Sequence, residues 1–221
     1  LKLVTKGYLE GFYYKPRIDK ELLAEHSEGL IALSSCVRGE VAHNVNRENV
    51  PRAIKVASQY AEIMGENNFF LELQNHQLEN QDRINKELIC IGKNLGLPVV
   101  ATNNCHYMDK SDFRAHEILL CLQTGKTITD PYRMQYPKDE FYFKSPKEMI
   151  ALFKEIPEAI ENTLKIAERC ELELEFDKLN LPDYPVPETY TLVTYLKERS
   201  RKGLTKRFDE LEKRKIKFDR D

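Results

Sequence analysis

The sequence predicts an α/β fold with mainly parallel strands. Three short apolar runs of strand length alternate with three amphipathic helical stripes, the links between them are short, and glycine or proline marks most junctions. Strands that alternate with helices in this rhythm pair in parallel, because each helix supplies the crossover that parallel neighbours need.

The first 28 residues, with Gly7, Tyr8, Gly11, Phe12, Tyr13 and Tyr14, read as a helix end followed by a loop. A first strand is expected in the run from Gly29 to Ser35, centred on residues 30–35. Pro51 suits a first helical turn; Ile54, Ala57, Ala61 and Met64 then recur at helical spacing until Gly65 stops them. Phe69–Leu73 is the second strand, followed by a stripe of Ile84, Leu88, Ile91 and Leu95 that ends at Gly96. Pro98–Thr102 is the third. Ser111 is expected to open a helix with Ala115, Ile118, Leu119 and Leu122 as its apolar stripe, closed by Gly125.

Residues 126–144 read as a polar loop containing Tyr and Pro. Ser145 and Glu148 have the spacing of a capping box before Met149, Leu152 and Phe153, and Pro157 begins a helix with Ile160, Leu164 and Ala167. Leu172–Phe176 alternates like an edge strand. Pro182, Pro185 and Pro187 give residues 182–190 linker composition, so a boundary is expected there. Beyond it Thr191 can cap a last helix, residues 191–221, with Leu192, Leu196, Leu204, Phe208 and Leu211 facing inward.

Composition narrows the function. No apolar run approaches the length of a membrane span and no signal peptide opens the chain, so a cytoplasmic protein is expected. Five widely spaced cysteines without a CxxC pair argue against a disulfide framework or a zinc ribbon. The net charge of −2 hides a tail in which residues 195–221 hold 11 Lys or Arg against 6 Asp or Glu. Arg201, Lys202, Lys206 and Arg207 are the candidates there for contact with nucleic-acid phosphates, against the plainer reading of a solvated helix face. The chain starts at Leu1 rather than Met and stops inside a charged run, which suggests a fragment.

Parallel α/β folds collect functional side chains just past the carboxyl ends of their strands. That rule selects Cys36 after the first strand, Gln74, Asn75 and His76 after the second, and Asn103, Asn104, Cys105 and His106 after the third. Thiolate and imidazole are good zinc ligands, so Cys36 and His106 lead as metal candidates and His76 follows. Glu72 is expected on the surface, and His26, His43 and His116 are expected to be structural. Gln123–Thr127 contains Gly-Lys-Thr, but it follows a helix and lacks the upstream Gly of a phosphate loop. No catalytic constellation is present.

Three stretches, ASQYAEIMGENNFFLELQNH, LGLPVVATNNCHYMDKSDFRAHEILLCLQTGKTI and FYFKSPKEMIALFKEIPEAIENTLKIAERC, together resemble the alpha subunit of bacterial DNA polymerase III. They are similar to the later half of its polymerase-and-histidinol-phosphatase (PHP) domain. VTKGYLEGFYYKPRIDKELL and GLIALSSCVRGEV fit the same alignment, and LPDYPVPETYTLVTYLKERSRKGL resembles the passage into the palm.

The resemblance implies the later part of a distorted (β/α)7 barrel in residues 1–181, a linker in 182–190 and the start of the palm's helical region in 191–221. It also implies a divalent-metal enzyme: Mg for the parent polymerase, Zn or Mn at the PHP site, and 3′–5′ exonuclease activity in some members. Cys36 matches a ligand position, and Asn104 with His106 matches an Asp-x-His ligand pair. Asn at position 104 removes a negative charge that a cluster of cations needs. The implied partners are DNA, dNTPs and replisome subunits such as a proofreading exonuclease and the sliding clamp, with no membrane. The palm aspartates of nucleotidyl transfer would lie outside this chain, so the piece itself is expected to be inactive. Two alternatives stand beside this reading: a non-catalytic module that braces the palm and docks a proofreading subunit, and a stand-alone PHP phosphoesterase.

Overall fold

A computed structural model describes residues 1–174, 176–177, 179 and 181–217. The chain divides into two compact units, residues 1–171 and 172–221. In the first unit the order is α1 (Lys2–Leu9), α2 (Lys20–Glu25), β1 (Ala32–Leu33), α3 (Glu40–Asn46), α4 (Val50–Met64), β2 (Phe69–Gln74), α5 (Gln81–Leu95), β3 (Val99–Thr102), a 3-10 turn (Lys110–Asp112), α6 (Phe113–Thr124), α7 (Pro146–Leu152) and α8 (Pro157–Glu168).

The three strands lie side by side in the order β1-β2-β3, all parallel. Ala32 pairs with Phe69, and Leu71 through Gln74 pair with Val99 through Thr102, so β2 and β3 end level with each other. Because side chains alternate along a strand, each sheet face has its own set. Phe69, Leu71, Leu73, Val99 and Ala101 join one core with Val41, Ala42 and Val45 of α3, Val56 and Ala57 of α4, and Ile84, Leu88 and Ile91 of α5. Ala159 of α8 belongs to the same core, and the Asn162 side chain of α8 donates a 2.7 Å hydrogen bond to the Val99 carbonyl.

Local chemistry sets most boundaries. Pro51 sits in the first turn of α4, and Asn49 caps it by accepting from the Arg52 amide. Gly96 and Gly125 end α5 and α6 in the left-handed conformation, at φ 67° and 64°. Ser145 and Glu148 form the expected capping box on α7.

The first strand is shorter than the expected 30–35. Ser35 adopts φ 68°, which turns the chain out of the sheet directly after Ser34. Sequence patterning also passes over α2 and α3, which are only 6 and 7 residues long and too short to display a full amphipathic period.

Three expected stripes are corrected. In α8, Leu164 and Ala167 are exposed and Ile160 only half-buried, while Ala159 and Asn162 are buried. In α6 the buried residues are Glu117, Leu120 and Cys121, while Ala115, Ile118, Leu119 and Leu122 face solvent. The run from Ile118 to Leu122 fits a helical period on either side, and the partner of Glu117 decides between them. The α6 helix also starts at Phe113 rather than at Ser111, behind the 3-10 turn.

The second unit contains α9 (Leu192–Lys213), capped by Thr191 as expected. None of its residues is buried: Leu192, Leu196 and Leu204 are exposed and Phe208 and Leu211 only half-buried. The inward face expected for this helix has no second layer among the unit's described residues to cover it. The alternating stretch 172–176 lies partly outside the described residues; Leu172, Glu173, Leu174 and Phe176 are not in a strand.

Candidate functional site

The site is built from the loops after the three strands and closed by a fourth segment. Past Ser35 the chain makes a tight turn in which the Gly39 amide donates to the Cys36 carbonyl at 2.7 Å. A side chain at position 39 has no room, because a Cβ there would lie 2.2 Å from the Ser34 carbonyl oxygen. This turn delivers Cys36, Val37 and Arg38 to one cavity of about 550 Å³. Gln74 and His76 reach the same cavity from the end of β2, and Asn104 and His106 from the end of β3. The common hollow inferred from strand order is therefore present, with Cys36, Asn104 and His106 on its wall.

His76 is fully enclosed, 1% exposed, and its ring stacks on Phe141 at 4.3 Å and 6°. Its Nε2 accepts from the Asn104 amide at 3.2 Å, and the Gln81 side-chain nitrogen lies 3.2 Å from Nδ1. Burial first, and the nearby Lys144 ammonium second, hold its pKa down at about 4. The neutral ring accepts from the Asn104 amide at Nε2 and packs between Gln81 and Phe141, a bracket that fixes the turn at Asn104.

His106 lies at the rim, its Nε2 2.9 Å from the Tyr136 hydroxyl, with His116 packed 5.7 Å away ring to ring. Burial and the neighbouring His116 both lower its pKa. His116 is half-buried and joins a cluster of rings with Tyr107 and Tyr136. Glu72 is corrected from surface to half-buried: its carboxylate accepts from Thr102 Oγ1 and Gln74 Nε2, and it lines a small neighbouring cavity with Cys36, Gln74 and Gln81 rather than the larger one.

The loop 126–144, read from sequence only as polar, forms the outer wall. It is zipped to the β3 loop by the His106 amide on the Phe141 carbonyl (2.7 Å) and by the Asn103 side chain on the Tyr142 carbonyl (2.6 Å). Arg133, Met134, Gln135, Tyr136, Pro137 and Phe141 line the cavity from it. Arg133 Nη2 pairs with Glu117 at 2.6 Å, and its Nε donates to the Ile128 carbonyl at 3.2 Å. That ion pair holds Glu117 inward on α6, with Leu119 and Leu122 turned outward. The Phe-Tyr-Phe triplet at 141–143 and the lone Arg133 were the available signals in the sequence.

The donor set does not fit a metal cluster. Cys36, His76, His106 and Asn104 are present, but no aspartate or glutamate lines the cavity and two arginines do. Among the described residues no three His, Cys, Asp or Glu side chains converge to hold a metal ion. His76 is spent on its neighbours, which leaves the Cys36 thiol, the His106 imidazole and the weak Met134 thioether as ligands on the wall. Asn104 brings an oxygen without charge.

The four candidate cations of α9 do not form one stripe. At about 100° per residue, Lys202 and Lys206 lie close together while Arg201 and Arg207 fall on other sides of the helix. Lys202 pairs with Glu198, and Lys206 with Glu210 at 4.0 Å. Tyr184 and Val186 form with Leu192, Val193 and Leu196 an apolar hollow of about 440 Å³ within this unit. No helix among the described residues is long and apolar enough to cross a membrane.

Residues 1–76, which include Cys36 and His76, match the PHP domain. The chain is 42% identical over 214 residues to the DNA polymerase III subunit alpha of Thermus aquaticus, covering 94% of this chain and 18% of that protein. The same subunit of Borreliella burgdorferi is 40% identical over 213 residues, covering 96% and 18%, and that of Treponema pallidum 39% over 207 residues, covering 93% and 18%. The chain thus spans under a fifth of the length of these relatives. Nearly every residue of it aligns within that one stretch, and the chain is a region of the DNA polymerase III alpha-subunit family that includes PHP-domain residues.

Proposed function

We propose that the chain works in template-directed DNA synthesis, as part of the catalytic alpha subunit of a replicative polymerase. The observation that carries this is the similarity to alpha subunits across more than nine-tenths of the chain. On this reading the parent protein is a nucleotidyltransferase that uses dNTPs, a primed DNA template and Mg ions. It acts in the cytoplasm beside a proofreading exonuclease and a sliding clamp. Residues 1–181 belong to a PHP-type barrel with more strands than the three described, residues 182–190 are a linker, and 191–221 lead into the palm.

Within that protein the first unit is a scaffold with the remnant of a metal site. Cys36, Asn104 and His106 share a cavity; a Zn ion there would draw on the Cys36 thiolate and the His106 imidazole, and a Mn ion on oxygen donors such as Asn104. The carboxylates that a multi-metal exonuclease centre needs are missing from this wall. The experiment is primer extension by the full-length polypeptide that carries this chain: incorporation dependent on template, dNTPs and Mg is expected, and none would overturn the reading. A docking role alongside catalysis is favoured by one further feature, the exposed stripe Ala115, Ile118, Leu119 and Leu122 on α6.

A further inference from the structure

The outer wall of the cavity is fixed at two points and slack between them. At the first, Arg133 is held by Glu117 at 2.6 Å and by the Ile128 carbonyl, and its amide donates to the Asp130 carbonyl at 3.3 Å. At the second, buried Glu140 pairs with Lys110 at 2.6 Å and Lys144 at 3.1 Å, and the Phe141 carbonyl accepts from the His106 amide. Between these anchors no backbone N–H or carbonyl of residues 134–139 makes a hydrogen bond with a described residue. Met134, Gln135, Pro137 and Lys138 are exposed. From this contrast we propose that residues 134–139 are a flap over the cavity, hinged at Arg133 and Glu140, with Tyr136 as its catch. Such a flap governs access to the cavity whether or not Cys36 and His106 hold an ion.

Tyr136 supplies the contacts that keep the flap shut. Its hydroxyl lies 2.9 Å from His106 Nε2, and its ring packs on His106 and Phe141 at 4.6 Å and on His116 at 5.3 Å. The same side chain reaches towards the turn after β1: burial raises its pKa, and the Arg38 charge opposes that rise. Tyr136 thus bars the mouth between the β3 loop and the turn that carries Cys36. The remaining hold is the ion pair of Asp139 with Lys110 at 3.6 Å, whose side chains are half exposed and which adds little.

A segment opens locally when little backbone hydrogen bonding and little apolar burial must be surrendered. Lifting 134–139 breaks none of the first and chiefly the Tyr136 packing of the second. The anchors resist far more. Glu117 and Glu140 are each under a tenth exposed, at 9% and 7%, and parting either from its cation would strand a buried charge. Motion is therefore confined to the segment between them. Opening also releases His106 Nε2, which the closed flap engages through the tyrosine hydroxyl.

The cysteines report on this motion. Cys36 is half-buried and lines the cavity, Cys90 and Cys170 are exposed elsewhere, and Cys121 is buried in α6. The full-length polypeptide that carries this chain is alkylated at fixed pH with iodoacetamide or with a bulky polyethylene-glycol maleimide. Each cysteine is followed by peptide mass spectrometry, and comparing two reagents at one thiol cancels its thiolate fraction. The bulky-to-small rate ratio should be lower at Cys36 than at Cys90 and Cys170. Tyr136→Phe keeps the ring and removes the hydrogen bond, and should speed iodoacetamide labelling of Cys36 by about fivefold, the effect of one ordinary hydrogen bond. Tyr136→Ala should speed it further and bring the Cys36 ratio up to that of the exposed cysteines. Cys121 should stay protected throughout, which separates a moving flap from unfolding of the domain. Equal ratios at all three cysteines in the unaltered protein, a Cys36 rate unmoved by both variants, or Cys36 and Cys121 rising together would overturn the proposal.

Discussion

His76 shows how a residue's role is settled by what its atoms touch. As a type it is a metal ligand; in place it is a neutral, stacked bracket behind Asn104, and the rim position falls to His106. If Cys36 and His106 retain an ion in the full-length protein, His106→Ala should lower its Zn or Mn content, measured by elemental analysis after desalting; unchanged content would remove His106 from any metal site. A second residue-scale effect concerns acid stability. The Tyr142 hydroxyl, then the Ser145 side chain and amide, hold the Glu148 carboxyl at about 2, below its ordinary 4.5. A carboxyl depressed on folding stabilises fully above its ordinary pKa, and this contribution is lost as the pH falls from 4.5 towards 2. Glu148→Gln should therefore flatten the dependence of denaturant stability on pH in that window, and an unaltered slope would show that the contact is not formed in solution.

At the scale of elements, period matched burial in α5, which packs on β2, whereas α8 packs on β3 with Leu164 and Ala167 of its expected stripe exposed. In α5, Ile84, Leu88 and Ile91 were selected by spacing and are buried as expected, because a helix against a sheet has one apolar neighbour. The α6 helix has a competing neighbour: Arg133 claims Glu117, and the more apolar side is left outside. Replacing Leu119 and Leu122 with Ser should cost little stability, within about 0.5 kcal/mol for exposed positions. It should weaken retention of a proofreading subunit by the full-length protein in a pull-down. Undiminished retention would leave the stripe without a docking role.

For the whole molecule, the charge of the second unit is the property that reaches furthest. Lys202 and Lys206 are compensated within their own helix, so of the four candidates Arg201 and Arg207 are the ones most available to phosphate. If both touch DNA in the full-length protein, replacing them with Ala should flatten the plot of log affinity against log salt by up to about 2 units, near 0.9 per lost contact. A slope that does not move would make them part of a solvated face. By itself the sequence determined the three strands, their parallel rhythm, Pro51 in the first turn of α4, the capping of α7 and α9, and the placing of Cys36, Asn104 and His106 at strand ends. All of these follow from local periodicity and turn chemistry. Only the tertiary structure decided that loop 126–144 closes the cavity, that Glu72 is half-buried, which face α6 buries, and that two arginines rather than carboxylates look into the site. Those outcomes depend on pairs such as Arg133 with Glu117 and Asn103 with Tyr142, which are far apart along the chain and leave no periodic trace in it.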